Sequence, residues 1–375
     1  MKIKAHDISD IGLLDPSIAY PDPPSPTDDE YTDDHHGFGI AFSSEPGWPV
    51  FLSHWVNGSP ALGDLDGDGD LDMAVQCNDG DVQLIDESGT ILKTFASGDW
   101  SDYHYQLVSS PAIADLDLDG NMEVLAVHPY GCNAWHAESG SPVSGWPVNM
   151  GNLSVPGIYP ARSAPVVCDL IGDAHPEVVI CRHLDLTSPN AVCTVWMYDY
   201  LGNRIWQREL ETGGVSVAST PAAGDISSIH SGNEILVCTS DGFISSFPLS
   251  DSGKDFDSAV YLLDPSDGSN IWKSSTFGCY FFGSPVVGDI DGDGINEIII
   301  GTHIDQSAHR VLVLDGDHGT LEHTFYVNST VANSAGIADL NDDGILDIVA
   351  VDNTGHVYCL SLIHISEPTR LLSIS

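Results

Sequence analysis

Positive charge is scarce in this sequence. Lysine and arginine together number 11 against 55 aspartates and glutamates, for a formal net charge of −44. Phosphate recognition rests on Lys and Arg, so nucleic acid is not an expected partner, and docking on an anionic membrane surface is disfavoured. No apolar run approaches the ~18 residues of a membrane span. The opening Met1-Lys-Ile-Lys-Ala-His-Asp7 lacks the apolar stretch of a signal peptide. Either the protein is not exported, then, or Met1 is not the native start. The eight cysteines (Cys77, Cys132, Cys168, Cys181, Cys193, Cys238, Cys279, Cys359) show no Cys-x-x-Cys and no zinc-like pairing with His, which argues against a disulfide or zinc framework. Several end apolar runs, as in Ile235-Leu-Val-Cys238, and are expected as small buried hydrophobes. There is no phosphate-binding P-loop, no His-Glu-x-x-His and no Ser-His-Asp signature. No segment sustains a 3.6-residue period, so helix is expected to be minor.

What the chain does have is apolar material for a core, at 42% of its residues. The two ends stand apart from it. Residues 1–46 are rich in Pro, Asp and Ser and read as an unstructured acidic linker, because such composition cannot bury enough apolar surface to offset chain entropy. Its His35-His36 pair reads as part of a solvated tail. At the other end, Leu360-Ser-Leu-Ile-His-Ile-Ser-Glu-Pro-Thr-Arg370 resembles the in-frame translation of a transposon-end sequencing adapter. Residues 360–375 are therefore set aside from fold reasoning, with the expectation that the native protein continues past Cys359.

Between the ends one unit recurs six times: a small residue, often Pro, a short apolar strand, an acidic loop, and a strand rich in Val, Ile and Leu. The loops begin at Asp64, Asp115, Asp169, Asp225, Asp289 and Asp339, so successive spacings are 51, 54, 56, 64 and 50 residues. Each second strand is followed by a weaker hairpin such as Thr194-Val-Trp-Met-Tyr-Asp-Tyr-Leu-Gly-Asn-Arg-Ile-Trp206. Four short antiparallel strands every fifty-odd residues is the pattern of a β-propeller blade. The expected fold is all-β, with six visible four-stranded blades over residues 47–359 and a seventh left open. Gly47-Trp48-Pro49-Val50 repeats as Gly145-Trp146-Pro147-Val148, which falls at a fourth-strand position. The first copy reads as an orphan outer strand available to complete the three strands of residues 333–359.

The loops follow Asp-x-Asp-x-Asp-Gly-x-x-Asp/Glu. Carboxylates at positions one, three and five converge, Gly at six permits a positive φ, the carbonyl at seven turns inward, and the acid at nine closes the shell. Hard oxygen donors in so negative a loop suit Ca²⁺. An EF-hand is excluded because position twelve is Val75, Ala126, Ile300 or Ala350 rather than Glu, and strands flank the loop. The loop at 169–177 has Ile171 at position three and Ala174 at six, and the loop at 225–234 has Ser227 and an extra residue. The first is expected to have too few oxygens for a strong site, and the second to be metal-free.

These motifs resemble the FG-GAP/VCBS repeats of integrin α-subunit propellers and of many secreted microbial proteins, over residues 47–359. The resemblance implies a propeller with about four Ca²⁺ ions and an extracellular or cell-surface setting. Carried over by position, the ligands are Asp64, Asp66, Asp68 and Asp72; Asp115, Asp117, Asp119 and Glu123; Asp289, Asp291, Asp293 and Glu297; and Asp339, Asn341, Asp343 and Asp347. To these it adds the carbonyls of Asp70, Asn121, Ile295 and Ile345. The expected function is a non-catalytic binding or adhesion module, monomeric within a larger chain, with a protein or glycan ligand and no membrane insertion. The rival is a calcium-dependent polysaccharide lyase or hydrolase, for which Trp100, Tyr103, His104 and Tyr105, or Cys279-Tyr280-Phe281-Phe282, are the polar-aromatic candidates. A quinoprotein-like reading of Trp206 and Trp272 lacks cofactor motifs, and both read more simply as blade packing.

Overall fold

The computed structural model describes residues 47–56, 58–96, 110–128, 130–150, 163–183, 193–210, 215–216, 219–241, 258–275, 277–281, 283–305 and 308–362. The first sheet runs in order through β1 (Ala61–Gly63), β2 (Asp72–Gln76), β3 (Val82–Ile85) and β4 (Ile91–Phe95). The second is β5 (Ala112–Ala114), β6 (Glu123–His128), β7 (Gly131–His136) and β8 (Val148–Asn149); the third is β9 (Val166–Cys168), β10 (Glu177–His183), β11 (Cys193–Tyr198) and β12 (Arg204–Glu209). In the fourth, β13 (Val215–Ser216) and β14 (Ala222–Gly224) both pair with β15 (Glu234–Asp241), followed by β16 (Ala259–Leu263) and β17 (Asn270–Ser275). The fifth repeats this with β18 (Cys279–Phe281), β19 (Val286–Gly288), β20 (Glu297–Asp305), β21 (His309–Asp315) and β22 (Leu321–Val327). The sixth has three strands, β23 (Gly336–Ala338), β24 (Asp347–Val351) and β25 (Val357–Leu360). All pairings are antiparallel, as between β20 and β21, where Ile299 faces Val313. This is the all-β blade architecture the repeats predict.

The second strand of each blade is continuously apolar because both of its faces are covered. Counting from the acid that opens it, the first and third residues face the preceding blade and the second faces the following one. Ile298 and Ile300 pack with Leu236, Cys238 and Leu262 of the fourth blade, whereas Ile299 packs with Ile348 and Ala350 of the sixth. The same division builds five cores, one at each junction from the first blade to the sixth. Six of the eight cysteines are buried as expected, but Cys168 is half-buried and Cys359 is exposed.

The small residue before each Pro has a function that its size alone does not reveal. The backbone N–H of Ser59 donates to Ser110 Oγ at 2.8 Å, Ala164 to Thr220 Oγ1 at 3.0 Å, Thr220 to Ser284 Oγ at 3.0 Å, and Ser284 to Ser334 Oγ at 2.9 Å. Hydroxyls thus tie the inner strand of one blade to that of the next.

Tryptophans tie the outer strands. Trp146 Nε1 donates to Tyr200 O at 3.0 Å, Trp206 Nε1 to Pro265 O at 2.6 Å, and Trp272 Nε1 to Gly316 O at 2.9 Å, each reaching the third-to-fourth-strand turn of the following blade. At the first junction Phe95 stacks on Trp135 instead, with ring centroids 5.1 Å apart. Trp48 Nε1 donates to Glu87 O of the first blade at 3.2 Å, so Gly47–Val50 sits on that blade as Gly145–Val148 sits on the third. It therefore occupies the place of a preceding blade's outer strand, and among the described residues it does not pair with β25. The last strand also runs one residue past the expected boundary, with Leu360 opposite Ile348 and Leu362 packed on the core.

The turn glycines make room for these rings. A Cβ on Gly319, at φ +66°, would stand 2.5 Å from the Trp272 ring, whereas one on Gly355, at φ +87°, would meet nothing within 4 Å. Gly355→Ala is expected to lose only the left-handed backbone penalty, about 1–2 kcal/mol. Gly319→Ala should lose clearly more in chemical denaturation, because the indole must also move; equal losses would contradict the packing described.

Candidate metal centres

Each acidic loop joins the first and second strands of a blade, and its own carboxylates fold it. In the first loop Asp64 accepts the N–H of Gly67 at 2.8 Å and of Gly69 at 3.1 Å, while Asp72 Oδ2 accepts the N–H of Leu65 at 2.8 Å. Asp66 and Asp68 each accept the N–H two residues ahead, at 3.2 and 2.9 Å. The fifth-blade loop repeats this: Asp289 accepts Gly292 and Gly294, and Glu297 Oε2 accepts Ile290 at 2.7 Å. In the second-blade loop Asp115 holds Asp119 and Gly120, and Glu123 Oε2 holds Leu116 at 2.7 Å. In the sixth, Asp339 holds Asp343 and Gly344 while Asp347 holds Leu340.

This folding brings carboxylates together in threes. Asp64, Asp66 and Asp72, then Asp115, Asp117 and Glu123, then Asp289, Asp291 and Glu297 each offer oxygens within 4.8 Å of one another. These are positions one, three and nine. The position-five residues Asp68, Asp119, Asp293 and Asp343 instead cap the N–H of Asp70, Asn121, Ile295 and Ile345 at 2.8–2.9 Å and stand outside those groups. The sixth-blade loop has the amide of Asn341 at position three, its oxygen accepting the Asp343 N–H at 2.9 Å.

Unneutralised, such groups repel by on the order of 1–4 kcal/mol per pair at such separations. The effect registers on the buried ninth-position acids. Burial, with added repulsion from Asp66 and Asp68, raises the Asp72 carboxyl despite the Leu65 hydrogen bond. Burial also raises Glu123, against hydrogen bonds from Leu116 and His136. Glu297 is pushed up to about 7 by burial, with the charges of Asp291, Glu322 and Asp289 adding to it. Asp72 is 1% exposed, and its Oδ1 has no hydrogen-bond partner. A buried carboxylate oxygen left open beside two other carboxylates fits a cation. The acidic groups can therefore bind metal, through oxygen donors alone.

Two features were not read from the sequence. Position four also requires a left-handed backbone: Gly67, Gly172 and Gly292 supply it at φ +83°, +77° and +79°, whereas Leu118 and Asp342 adopt φ +60° and +61° without glycine. Three glycines at that register were the available signal. The second is His136 Nδ1, 2.8 Å from Glu123 Oε1, which comes from the neighbouring hairpin and leaves no trace in the loop motif.

The two degenerate loops keep the fold without the carboxylate triad. At 169–177 Asp169 still accepts Gly172 and Ala174, and Glu177 still accepts Leu170, with Ala174 at φ +82°. At 225–234 Glu234 accepts Ile226, and His230 Nδ1 lies 2.9 Å from Glu234 Oε1. Of the rival catalytic clusters, Trp100, Tyr103, His104 and Tyr105 fall outside the described residues, as does Phe282. Cys279, Tyr280 and Phe281 are each at most 2% exposed, and Cys279 and Phe281 belong to the core between the fourth and fifth blades.

The FG-GAP-like repeat family matches residues 64–126, the first two loops and the blade between them. The repeat read from the sequence is thus an FG-GAP-like repeat there. No curated protein sequence matches the chain. Among solved structures, the chain is similar to a quinohemoprotein alcohol dehydrogenase of Pseudomonas putida HK5, with TM-score 0.55, 13% identity, and 86% of this chain covering 54% of that one. It is also similar to the quinohemoprotein alcohol dehydrogenase of Comamonas testosteroni, with TM-score 0.53, 15% identity, and 80% of this chain covering 52% of that one. A third is the Bacillus licheniformis rhamnogalacturonan lyase PL11, with TM-score 0.51, 14% identity, and 80% of this chain covering 55% of that one. The chain spans about half the length of these three, and the likeness establishes the β-propeller fold. Among the described residues no helix is long and apolar enough to cross a membrane.

The raised Glu297 gives a pH signature. With its folded value near 7 against an ordinary 4.5, the protonated form favours the fold, so this contribution is complete below about pH 4.5 and is lost as pH rises to 7. In chelator, the melting temperature should fall across that window, and Glu297→Gln should flatten the fall. An unchanged slope would contradict the assignment.

Proposed function

We propose that the chain is a calcium-binding β-propeller that serves as a non-catalytic binding and adhesion module of a larger secreted or cell-surface protein, engaging a protein or glycan ligand. The observation that carries the calcium reading is Asp72, a buried residue with an unpartnered Oδ1 that forms an all-carboxylate group with Asp64 and Asp66. Hard oxygen donors on a flexible loop suit Ca²⁺ over softer metals, and millimolar extracellular calcium fills even weak sites. Four loops take the ion in this reading, at 64–72, 115–123, 289–297 and 339–347. The carboxylates that gather in the described residues do so within such loops, which supports a rigidifying rather than a catalytic use of them.

Calcium added to chelator-treated protein should raise the melting temperature, by an amount equivalent to about 2.7 kcal/mol per occupied site at a hundredfold excess over Kd. Asp291→Ala removes the third-position oxygens from the fifth-blade group, leaving an apolar residue there as Ile171 does in the third loop. Titration calorimetry should then show one equivalent of calcium fewer, and unchanged stoichiometry would refute the site. Release of unsaturated sugars from uronate polymers by the purified chain would replace the non-catalytic reading with that of a polysaccharide lyase.

A further inference from the structure

The loop at 225–234 lacks the third-position acid, yet it is one of the most tightly held. Ser227 Oγ donates to Asp317 Oδ1 at 3.1 Å, Ser228 N–H donates to the same oxygen at 2.6 Å, and Ser228 Oγ donates to Asp317 Oδ2 at 2.7 Å. Asp317 belongs not to this blade but to the β21–β22 turn of the next, and it is 4% exposed. Burial alone would raise its carboxyl, but the hydrogen bonds from Ser228, Ser227 and Ile229 hold it below the usual range. The same junction is closed by Asn296 Nδ2 to Asp225 O at 3.1 Å and by Gly316 N–H to Asn296 O at 2.9 Å.

We infer that the fourth-blade loop has exchanged a cation for an anion: the Asp317 carboxylate, delivered by the fifth blade, is the ligand that orders residues 225–234, so this junction holds without metal. In the metal-type loops, excess carboxylate within one loop requires a cation from solution. Here Ser227 and Ser228 turn the loop into a set of donors, and the neighbouring blade supplies the negative charge. Charge-assisted bonds to a buried carboxylate are worth more than neutral ones, and they join two blades rather than two parts of one loop. The array therefore contains two kinds of junction. Withdrawal of cation loosens the loops at 64–72, 115–123, 289–297 and 339–347, and leaves 225–234 closed. The contrast between the loops rests on the calcium reading above; the role of Asp317 does not.

Peptide-resolved hydrogen exchange on the full chain, in calcium and in chelator, tests this. For the unmodified protein, exchange at 64–72, 115–123, 289–297 and 339–347 should rise at least tenfold in chelator while 225–234 is unchanged. Asp317→Ala should speed exchange at 226–229 at least tenfold in both conditions, and Asp317→Asn, which retains one acceptor oxygen, should do so by less. Circular dichroism confirms that each variant remains folded, with Asp317→Asn as the milder substitution should Asp317→Ala unfold. Exchange at 226–229 that is indifferent to both substitutions overturns the inference, as does a calcium response at 225–234 equal to that of the other loops. If no loop responds to calcium, the metal reading fails, and the Asp317 variants still decide whether that carboxylate orders the loop.

Discussion

Every blade hangs on one buried carboxylate at the start of its second strand. Asp72, Glu123, Glu177, Glu234, Glu297 and Asp347 are all at most 3% exposed, and each accepts the backbone N–H of the loop's second residue. That bond fixes the loop against the sheet. It also commits a negative charge to the interior, which is costly unless something answers it. The surroundings of that charge differ between blades. In the first, second and fifth, two further carboxylates add to the cost until a cation joins them, and in the second His136 also reaches the buried acid. In the fourth, His230 reaches Glu234 and lies 3.5 Å from Asp264 Oδ2, while Asp317 takes up the donors of Ser227 and Ser228. One structural requirement thus generates both the candidate metal centres and their substitutes.

The remaining stability comes from strands apolar on both faces. Because alternate residues of one strand serve different junctions, a substitution at Ile299 is felt by the sixth blade and one at Ile298 by the fourth. Hydroxyl and indole ties then set how neighbouring blades lie at the inner and outer strands. The loops and the third-to-fourth-strand turns meet at the same end of the sheets, which is why a turn residue such as Asp317 can reach a loop of the preceding blade.

Much of this was legible beforehand because it is local and periodic. The six loop starts, the strand count of a blade and the exclusion of an EF-hand all follow from residues close in sequence. Within the loops, the carboxylates at positions one, three and nine lie together in three blades, while the position-five carboxylate stands apart on the N–H two residues on. Contacts that span a blade repeat left no such trace. Ser227 and Asp317 are 90 residues apart, and the Trp206 partner is 59 away, so their pairing depends on how blades are set side by side. The segment 47–50 reads as an outer strand from its repeat at 145–148, although among the described residues it carries no strand pairing. That it lies on the first blade depends on the turn it meets, at Glu87.

The hydroxyl ties run one way. In four of the ties the earlier blade donates a backbone N–H and its successor receives it on a side chain, as Ser284 does for Thr220 and Ser334 for Ser284. The faces are equally unlike, since Ile337 of one blade closes on Gly288 of the blade before it so tightly that a Cβ there would stand only 2.5 Å from its side chain. The array is consequently polar, with a head and a tail. Its head carries Leu62, 60% exposed, and its tail carries Val357, 58% exposed. Each junction between described blades thus joins a face of the tail kind to one of the head kind, two unlike surfaces rather than one surface repeated.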